Sequence, residues 1–504
     1  MRRSGGAVPR IYIETFGCQM NEADSQYIAD RAASAGYEIA TKAEEAGVVV
    51  LNTCTVRDNA ERRAYGRMNH LKALKERDPS VRLVVMGCLA EQDRDRMQQI
   101  APHVDAVFGT KELVELGDAL AAWSFEAPLR GAPQDDTFEA PLRGAPQDDT
   151  FEAPLRGAPQ DDTSAEELYR AMGGTADAVV DAFSHLRAFV TVQRGCSYYC
   201  TFCIVPHVRG RFDHRPMREI VAEAQAHVAA GAREVMLVGQ TVNAWRDPAS
   251  AEDFGDLCRA VAALPGLERL TFISPHPKDF DEKVVTDLAS VPQLNPRVHL
   301  PLQSGSDVML RRMNRKYTRG QFEEKIELFR RYLPQWAITT DIIVGFPGES
   351  DADFEATMDL VSANVFANAF TFIYSIRRGT PAARWEQVPA GIASGRFQRL
   401  IQAQNAATRA YHDRKIGTTV RALIVGPSKK DPAKLAAKAP DNVTVIAPKP
   451  SDYDEARYAR EPWLDIAVET AHVWGCTGTI VRRAARYDDA GEPIARPVID
   501  LIAG

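Results

Sequence analysis

Six of the eight cysteines of this chain fall into two groups of three, and groups of this kind bind metals. Cys196, Cys200 and Cys203 lie together in the stretch CSYYCTFC, which has C-x3-C-x2-C spacing. Three thiolates this close in sequence can hold three irons of a four-iron cluster and leave the fourth iron free for chemistry. A zinc ion with these three ligands and the nearby His207 as the fourth is the alternative.

The other three cysteines are far apart in sequence, yet each closes an apolar run that is typical of a strand. The runs are IYIETFGC, VVVLNTC and LVVMGC, which end at Cys18, Cys54 and Cys88. In a parallel sheet the carboxyl ends of the strands meet at one edge, where ligands bind. A single such cysteine is more often a small buried residue than a ligand. Three of them at one edge predict a second metal site.

Two stretches in which short apolar strands alternate with helical patterns would position both triplets. Residues 9–123 predict a parallel-sheet α/β domain, and residues 185–414 predict a partial barrel of parallel strands. From 415 to 487 short strands between turns predict a small antiparallel β-barrel, and residues 488–504 follow as a tail. The expected fold class is therefore α/β with a third, all-β domain.

Between the first two domains, residues 124–184 contain the segment FEAPLRGAPQDDT three times in tandem. The segment is rich in Pro, Gly and Asp and has little to bury, which predicts a disordered linker. Each copy carries a charge of −2, so the repeats account for −6 of the net charge of −7. The rest of the chain is nearly neutral and can still present basic faces to a nucleic acid.

Composition and hydropathy exclude several classes of protein. No apolar run reaches about 18 residues, so we expect no membrane span. The N-terminal MRRSGGAVPR has no apolar stretch and cleavage site behind it, so we expect no secretory signal. Eight cysteines in 504 residues are too few for a disulfide scaffold. We therefore expect reduced thiols and a cytoplasmic protein.

The loop triplet lies at the end of the first predicted barrel strand and resembles the cluster loop of the radical S-adenosylmethionine (radical SAM) enzymes. In that family the three thiolates hold a [4Fe–4S] cluster, and its free iron binds the amino and carboxylate groups of SAM. The resemblance implies that an electron from the cluster cleaves SAM and yields a 5′-deoxyadenosyl radical. It also implies that Phe202 lies near the adenine.

Further blocks in the same order resemble the methylthiotransferases within that family. They include ETFGCQMNEADS, LNTCTVRDNAERR, VVMGCLAEQ, VGQTVNAW, SPHPKDF, VHLPLQSGSDVMLRRMNRKYTR and TTDIIVGFPGES. The resemblance implies a second [4Fe–4S] cluster on Cys18, Cys54 and Cys88, whose free iron binds the sulfur, and a C-terminal TRAM domain. One departure is IYSIRRGTP, where the family commonly has PRPGTP.

The blocks around Cys18 and Cys54 most resemble the branch that acts on tRNA. The resemblance implies a transferase that adds a methylthio group to carbon 2 of N6-isopentenyladenosine next to the anticodon. The alternative within the family is an aspartate of a ribosomal protein. The alternative from another class is a non-catalytic RNA-binding protein with structural zinc. Methylthio transfer to tRNA implies three partners, which are tRNA, a reductant such as flavodoxin or ferredoxin, and a sulfur source. We expect a monomer.

Polar residues at the ends of predicted barrel strands are candidate contacts for SAM or substrate. They are Gln240, Asn243, Gln303, Ser304 and Asp341. Basic residues near the loop triplet and in the C-terminal domain are candidate phosphate contacts for RNA. They are Arg209, Arg211, Arg315, Lys316, Lys429 and Lys430.

Overall fold

The computed structural model describes residues 8–55, 58–123, 184–363, 365–428 and 430–483. The three tandem repeats, the predicted tail and Lys429 lie outside these residues. None of the described helices is both long and apolar enough to cross a membrane.

The N-terminal part is a parallel five-stranded sheet between two layers of helices, with strand order β2-β1-β3-β4-β5. The strands are β1 Arg10–Thr15, β2 Glu38–Ile39, β3 Val48–Thr53, β4 Arg82–Gly87 and β5 Ala106–Phe108. The helices are α1 Gln19–Ser34, α2 Asp58–Arg77, α3 Cys88–Gln92, α4 Arg94–Ile100 and α5 Leu113–Trp123. All six residues of β3 are buried, as expected for a central strand with helices on both faces. The predicted parallel α/β arrangement is confirmed.

The central part is an open barrel of six parallel strands, in the sheets β10-β9-β6 and β11-β12-β13. The strands are β6 Arg187–Thr191, β9 Glu234–Val238, β10 Arg269–Phe272, β11 Arg297–His299, β12 Ala337–Val344 and β13 Asn368–Ile373, and a short hairpin is formed by β7 Gln193–Arg194 and β8 Asp213–His214. A parallel bridge from Leu270 to Leu294 joins the two sheets. The first and last strands, β6 and β13, are the ends of this arrangement, so the barrel is incomplete, as predicted.

Eight helices belong to the described part of the barrel. They are α6 Val205–Val208, α7 Met217–Ala229, α8 Phe254–Ala262, α9 Glu282–Ala289, α10 Asp307–Arg312, α11 Arg319–Tyr332, α12 Asp351–Ser362 and α13 Ala390–Asp413. The main core of the barrel is formed by the buried apolar side chains of the strands and of the helices that follow them, for example Leu237, Leu257 and Phe322.

The C-terminal part is a closed five-stranded barrel with strand order β14-β15-β16-β18-β17. The elements are β14 Thr419–Pro427, β15 Lys434–Lys438, β16 Thr444–Pro448, α14 Glu455–Arg460, β17 Trp463–His472 and β18 Gly475–Arg483. All neighbouring strands are antiparallel except β16 and β18, which are parallel. The small barrel was predicted, but this one parallel pairing was not.

The N-terminal sheet and the open barrel are packed against each other through α1. Met20 and Ala23 of α1 share an apolar cluster with Met236 and Val238 of β9. Cys18, just before α1, packs against the same cluster. The site at the sheet edge therefore faces the barrel.

Candidate active site

Cys18, Cys54 and Cys88 follow three strands that are neighbours in the N-terminal sheet. Cys18 is the residue before α1, Cys54 directly follows β3, and Cys88 begins α3 directly after β4. Since β1, β3 and β4 are adjacent and parallel, the three thiols lie at one edge. The structure thus places all three at the edge of the sheet where the sequence analysis expected a site.

Two glycines allow the chain to approach closely beside these cysteines. Gly17 has φ +136°, and a Cβ there would lie 2.5 Å from the Cβ of Cys54. Gly87 has φ +101°, and a Cβ there would lie 2.4 Å from the carbonyl oxygen of Thr53. A side chain at either position would push the strand ends apart, so the Gly-Cys pairs hold the thiol-bearing turns together.

A buried network of polar side chains fixes the same turns. The Asn21 amide donates to the Oδ1 of Asn52 at 2.8 Å and to the carbonyl of Thr53 at 3.0 Å. The Asn52 amide donates in return to the carbonyl of Asn21 at 2.8 Å. The Cys18 thiol lies 3.4 Å from Asn21 Oδ1. Because satisfied buried networks are rigid, the turn after β1 is locked to the end of β3.

Arg209, from the barrel, completes this site. Its Nε donates to the Cys88 sulfur at 3.2 Å, and a terminal nitrogen donates to Asp24 at 2.9 Å. Arg194 pairs with the other oxygen of Asp24 at 3.1 Å. Burial raises the pKa of the Cys88 thiol, and the Arg209 guanidinium opposes that rise. A cation beside a thiol favours the thiolate, which is the form that binds metal.

The loop triplet also has a glycine before one of its cysteines and an arginine that donates to one of its sulfurs. Gly195, with φ +71°, precedes Cys196, and a Cβ there would lie 2.0 Å from the carbonyl oxygen of Arg211. Arg315 donates to the Cys200 sulfur at 3.3 Å. Burial and the neighbouring Cys200 raise the pKa of Cys203 to about 12. With a pKa this high, the Cys203 thiol holds its proton until a metal displaces it.

A short connection joins the two triplets. Arg209 is the sixth residue after Cys203, and the helix α6 lies between them. Cys88 packs with Ile204 and Val208 of this connection. At a helical rise of about 1.5 Å per residue, six residues span roughly 9 Å. The two thiol triplets are therefore neighbours across the interface between sheet and barrel.

A cavity of about 420 Å³ opens beside the loop triplet. Cys200 and Cys203 line one side, and Arg384 and Trp385 line the other. Tyr199 and His207 also border it. A cavity of this size suits a cofactor or a substrate group.

The spacing of the thiols distinguishes a cluster from a single metal ion. Ligands of a tetrahedral zinc ion lie about 4 Å apart, because each is about 2.3 Å from the metal. Among the described residues, the one group of three potential ligands within 4.8 Å of one another is Asp253, Asp256 and Asp287. The thiols of neither triplet are this close, with or without His207. The donor set and its spacing therefore fit an iron–sulfur cluster better than zinc.

The residues predicted to contact SAM divide into two groups. The buried Oε1 atoms of Gln240 and Gln303 have no hydrogen-bond partner among the described residues, so each could accept from a ligand. Asn243 instead exchanges two hydrogen bonds with the backbone of His276. These two bonds hold the Asn243 amide against the backbone of His276.

The structure also shows the surroundings of the three other residues predicted to contact SAM or substrate. The Ser304 hydroxyl is buried 3.3 Å from the hydroxyl of Thr357. Asp341 lies 3.2 Å from the Nε2 atom of His299 inside the barrel. Phe202 packs edge-to-face against Phe346, with ring centroids 6.3 Å apart, in an apolar cluster that also contains Trp385 of the cavity lining.

The residues predicted to bind RNA phosphates also divide into two groups. Arg209 is buried and held by Cys88 and Asp24, and Arg315 is held by Cys200, Tyr317 and the carbonyl of Pro301. Neither has a side chain free for a phosphate, because each serves a thiol. The exposed basic residues among those predicted are Arg211, Lys316 and Lys430.

Two features were not found from the sequence. Asp24, which pairs with Arg209 and Arg194, lies in a helix and resembles any surface acid in sequence. Arg378, in the stretch that departs from PRPGTP, forms an ion pair with Asp93 of the N-terminal part. The departure from PRPGTP marked this stretch as unusual in sequence, but only the structure shows that Arg378 pairs with Asp93.

Two family models match the chain. Residues 10–109 match the model described as "Uncharacterized protein family UPF0004", and residues 190–361 match the radical SAM superfamily. Among solved structures, a radical SAM methyltransferase, TsrM, from Kitasatospora setae is 16% identical, with a TM-score of 0.48 over 75% of this chain and 74% of that chain. A likeness at this level has no bearing on function.

Curated relatives match over most of the chain. A tRNA-2-methylthio-N(6)-dimethylallyladenosine synthase of Desulfitobacterium hafniense is 37% identical over 87% of this chain and 91% of its own length. A protein of the same name from Streptomyces coelicolor is 38% identical over 97% of this chain and 92% of its own length. These enzymes use SAM and [4Fe–4S] clusters. The chain belongs to the tRNA-2-methylthio-N(6)-dimethylallyladenosine synthase family of radical SAM transferases.

Proposed function

We propose that this enzyme adds a methylthio group to carbon 2 of N6-isopentenyladenosine next to the anticodon of tRNA. The observation that carries the proposal is the pairing of the two thiol triplets. Cys203 and Arg209, which donates to Cys88, are six residues apart, so radical formation and sulfur delivery would occur side by side. Relatives named for this reaction match nearly the whole chain.

The residues assign a separate task to each triplet. Cys196, Cys200 and Cys203 would hold the cluster that binds SAM, and Cys18, Cys54 and Cys88 would hold the cluster that binds sulfur. Bound there, the clusters and SAM supply the electron, the radical and the methylated sulfur that an unreactive aromatic C–H bond requires. Phe202, Gln240 and Gln303 would orient SAM. Arg209 favours the thiolate form of Cys88, and Arg315 donates a hydrogen bond to the sulfur of Cys200.

The exposed basic residues Arg211, Lys316 and Lys430 are proposed contacts for RNA phosphates. Lys429, adjacent in sequence, is proposed with them. We also propose a reductant of the flavodoxin or ferredoxin type, a sulfur source, a cytoplasmic location and a monomeric enzyme.

Nucleoside analysis of tRNA from a strain that lacks the protein tests the substrate. We expect the 2-methylthio nucleoside to disappear and its unmodified N6-isopentenyl precursor to accumulate. Unchanged methylthio nucleoside in that strain would refute the tRNA reaction, and loss of a modified aspartate on a ribosomal protein would identify the alternative substrate.

Cysteine variants test the division of labour. Cys203→Ala should abolish cleavage of SAM, whereas Cys88→Ala should leave SAM cleavage and abolish methylthio transfer. Anaerobically purified wild-type protein should hold roughly eight irons, and each variant roughly four. Cys258→Ala is the matched control for Cys88→Ala, because Cys258 is buried like Cys88 but belongs to neither triplet. One zinc and no iron in the wild-type protein would instead support the structural-zinc alternative.

A further inference from the structure

A second cavity, of about 170 Å³, lies between the open barrel and the C-terminal barrel. Arg297, Thr339 and Phe370 of the open barrel border it, and so do Lys438 and Trp474 of the C-terminal barrel. The three residues of the open barrel belong to the first halves of β11, β12 and β13. These strands begin at the face opposite the thiol triplets. The cavity is therefore distinct from the one beside Cys200.

Two cations border this cavity without a carboxylate partner. Arg297 donates to the hydroxyl of Thr339 at 3.4 Å, and Lys438 donates to the hydroxyl of Thr444 at 2.8 Å. Among the described residues, neither has a carboxylate oxygen within 4.0 Å. One carboxylate, Asp441, also lines the cavity, and it is held by Lys415 and by the hydroxyl of Tyr411. Glu234, outside the lining, is held by Arg187 and Arg269.

Arg297 and Lys438 therefore add positive charge to a cavity whose lining carboxylate is already paired with Lys415. Burial, together with Arg187, Arg297 and Arg269, lowers the pKa of Lys438 to about 8. A group of cations held together in this way is stabilised by an anion, and a phosphate diester offers acceptor oxygens to both a guanidinium and an ammonium.

Exposed aromatic side chains border the same cavity. Trp474, in the turn between β17 and β18, is 88% exposed, and Phe370 of β13 is 44% exposed. An unpaired nucleobase stacks on such a ring.

Strand β13 connects this cavity with the one beside the loop triplet. It begins at Asn368, which borders the second cavity, and its chain continues into residues 379–385, which border the first. Six strand residues span about 20 Å. Phe370 and Phe372 point to the same face of this end strand, and both are partly exposed. The strand therefore offers an apolar surface of about three nucleotides in length between the two cavities.

We propose that the second cavity binds one nucleotide of the single-stranded part of the RNA substrate. Arg297 and Lys438 hold its phosphate, and Trp474 stacks on its base. Phe370 and Phe372 then support the strand that leads to the modified adenosine. This inference rests on the proposed function, because it names how that same RNA is held.

Binding of a fluorescent anticodon stem-loop RNA that contains N6-isopentenyladenosine, measured over a series of salt concentrations, tests the site. Trp474→Ala should weaken binding at least 5-fold, and Trp474→Phe should restore most of it. Arg297→Gln should lower the slope of log K against log salt by about 0.7, as expected for one lost contact to single-stranded RNA. Arg399→Gln is the control, because Arg399 is exposed, lies outside the cavity lining and contacts Glu355 and Phe354 of a neighbouring helix.

Iron content and SAM cleavage without RNA should be unchanged in every variant, since the site is remote from the thiols. Wild-type affinity in both Trp474→Ala and Arg297→Gln would refute the site. The site is supported if inorganic phosphate competes with RNA for the wild-type protein but not for Arg297→Gln. If the wild-type protein binds phosphate and Arg297→Gln binds RNA with unaltered affinity, an RNA role of the site is refuted. If the wild-type enzyme modifies this RNA while the variants bind it normally, the site fails and the proposed function stands. If wild-type enzyme neither binds nor modifies the RNA, the proposed function fails as well.

Discussion

Replacement of Arg209 by Gln should disable the dispersed site while leaving the loop site intact. Its side chain is 3% exposed and that of Asp24 is 1% exposed, so their ion pair is fully buried. Without the guanidinium, the Cys88 sulfur loses its donor and Asp24 retains only Arg194. The perturbation thus removes one cation from a site that contains a buried carboxylate and three thiols.

The magnitude follows from the burial of the pair. Removal of one partner of a buried ion pair costs about 3–5 kcal/mol. We expect the lower end, about 3 kcal/mol, because Arg194 still neutralises Asp24. At about 1.4 kcal/mol per factor of ten, this corresponds to an opening equilibrium increased roughly 100-fold. The control is Arg194→Gln. Arg194 is 30% exposed and contacts no thiol, so its loss should cost about 1 kcal/mol.

Hydrogen exchange of the metal-free protein at Val48–Thr53 measures this directly, because β3 is buried in the N-terminal sheet and carries Cys54 at its end. We expect exchange about 100-fold faster in Arg209→Gln and only several-fold faster in Arg194→Gln. After anaerobic reconstitution, Arg209→Gln should hold about four irons where the wild type holds about eight. Wild-type exchange together with full iron content in Arg209→Gln would refute the assignment of Arg209 to this site.

Two further substitutions test contacts outside the thiol sites. Arg378→Pro, which introduces the residue of the PRPGTP pattern, breaks the ion pair with the buried Asp93. Amide hydrogen exchange in residues 379–384 should therefore rise several-fold, whereas in Arg378→Lys it should remain near the wild-type rate. Equal exchange in the two variants would contradict the role of the pair. Burial alone would raise the pKa of Glu234, but Arg269 and Arg187 hold it below its usual value. The ionised Glu234 therefore stabilises the fold above about pH 4.5, and this stabilisation is lost as the pH falls through the lowered pKa. Glu234→Gln should thus be less stable than wild type at pH 7, and the difference in free energy of unfolding should vanish in acid; a constant difference would contradict the ion pairs.

The positions of the six cysteines could be predicted because they depend on local features. Spacing alone groups Cys196, Cys200 and Cys203 on one loop. For Cys18, Cys54 and Cys88, the prediction needed only that each ends a strand of one parallel sheet. The glycine before Cys18, Cys88 and Cys196 was an unused signal, since only a residue without a side chain allows these close approaches.

The roles of the arginines could not be predicted, because they depend on contacts between distant parts of the chain. Arg209 lies in a basic run beside the cluster loop, and such a run indicates a phosphate-binding face. Its actual partners, Cys88 and Asp24, are 121 and 185 residues away in sequence. Arg315 likewise lies in a basic run but donates to Cys200, 115 residues earlier. Charge in sequence does not reveal whether the nearest anion is a phosphate or a thiolate.

The two thiol sites are built from the same kinds of residues, but only the dispersed site depends on the packing of the sheet against the barrel. In each, a glycine allows a tight turn before a cysteine, and a buried arginine donates to one sulfur. In the loop site the cysteines and Arg315 all belong to the barrel. In the dispersed site the cysteines belong to the sheet, but Arg209 belongs to the barrel, six residues after Cys203. The dispersed site is therefore complete only when sheet and barrel are packed together, and that packing is also what places the two triplets side by side.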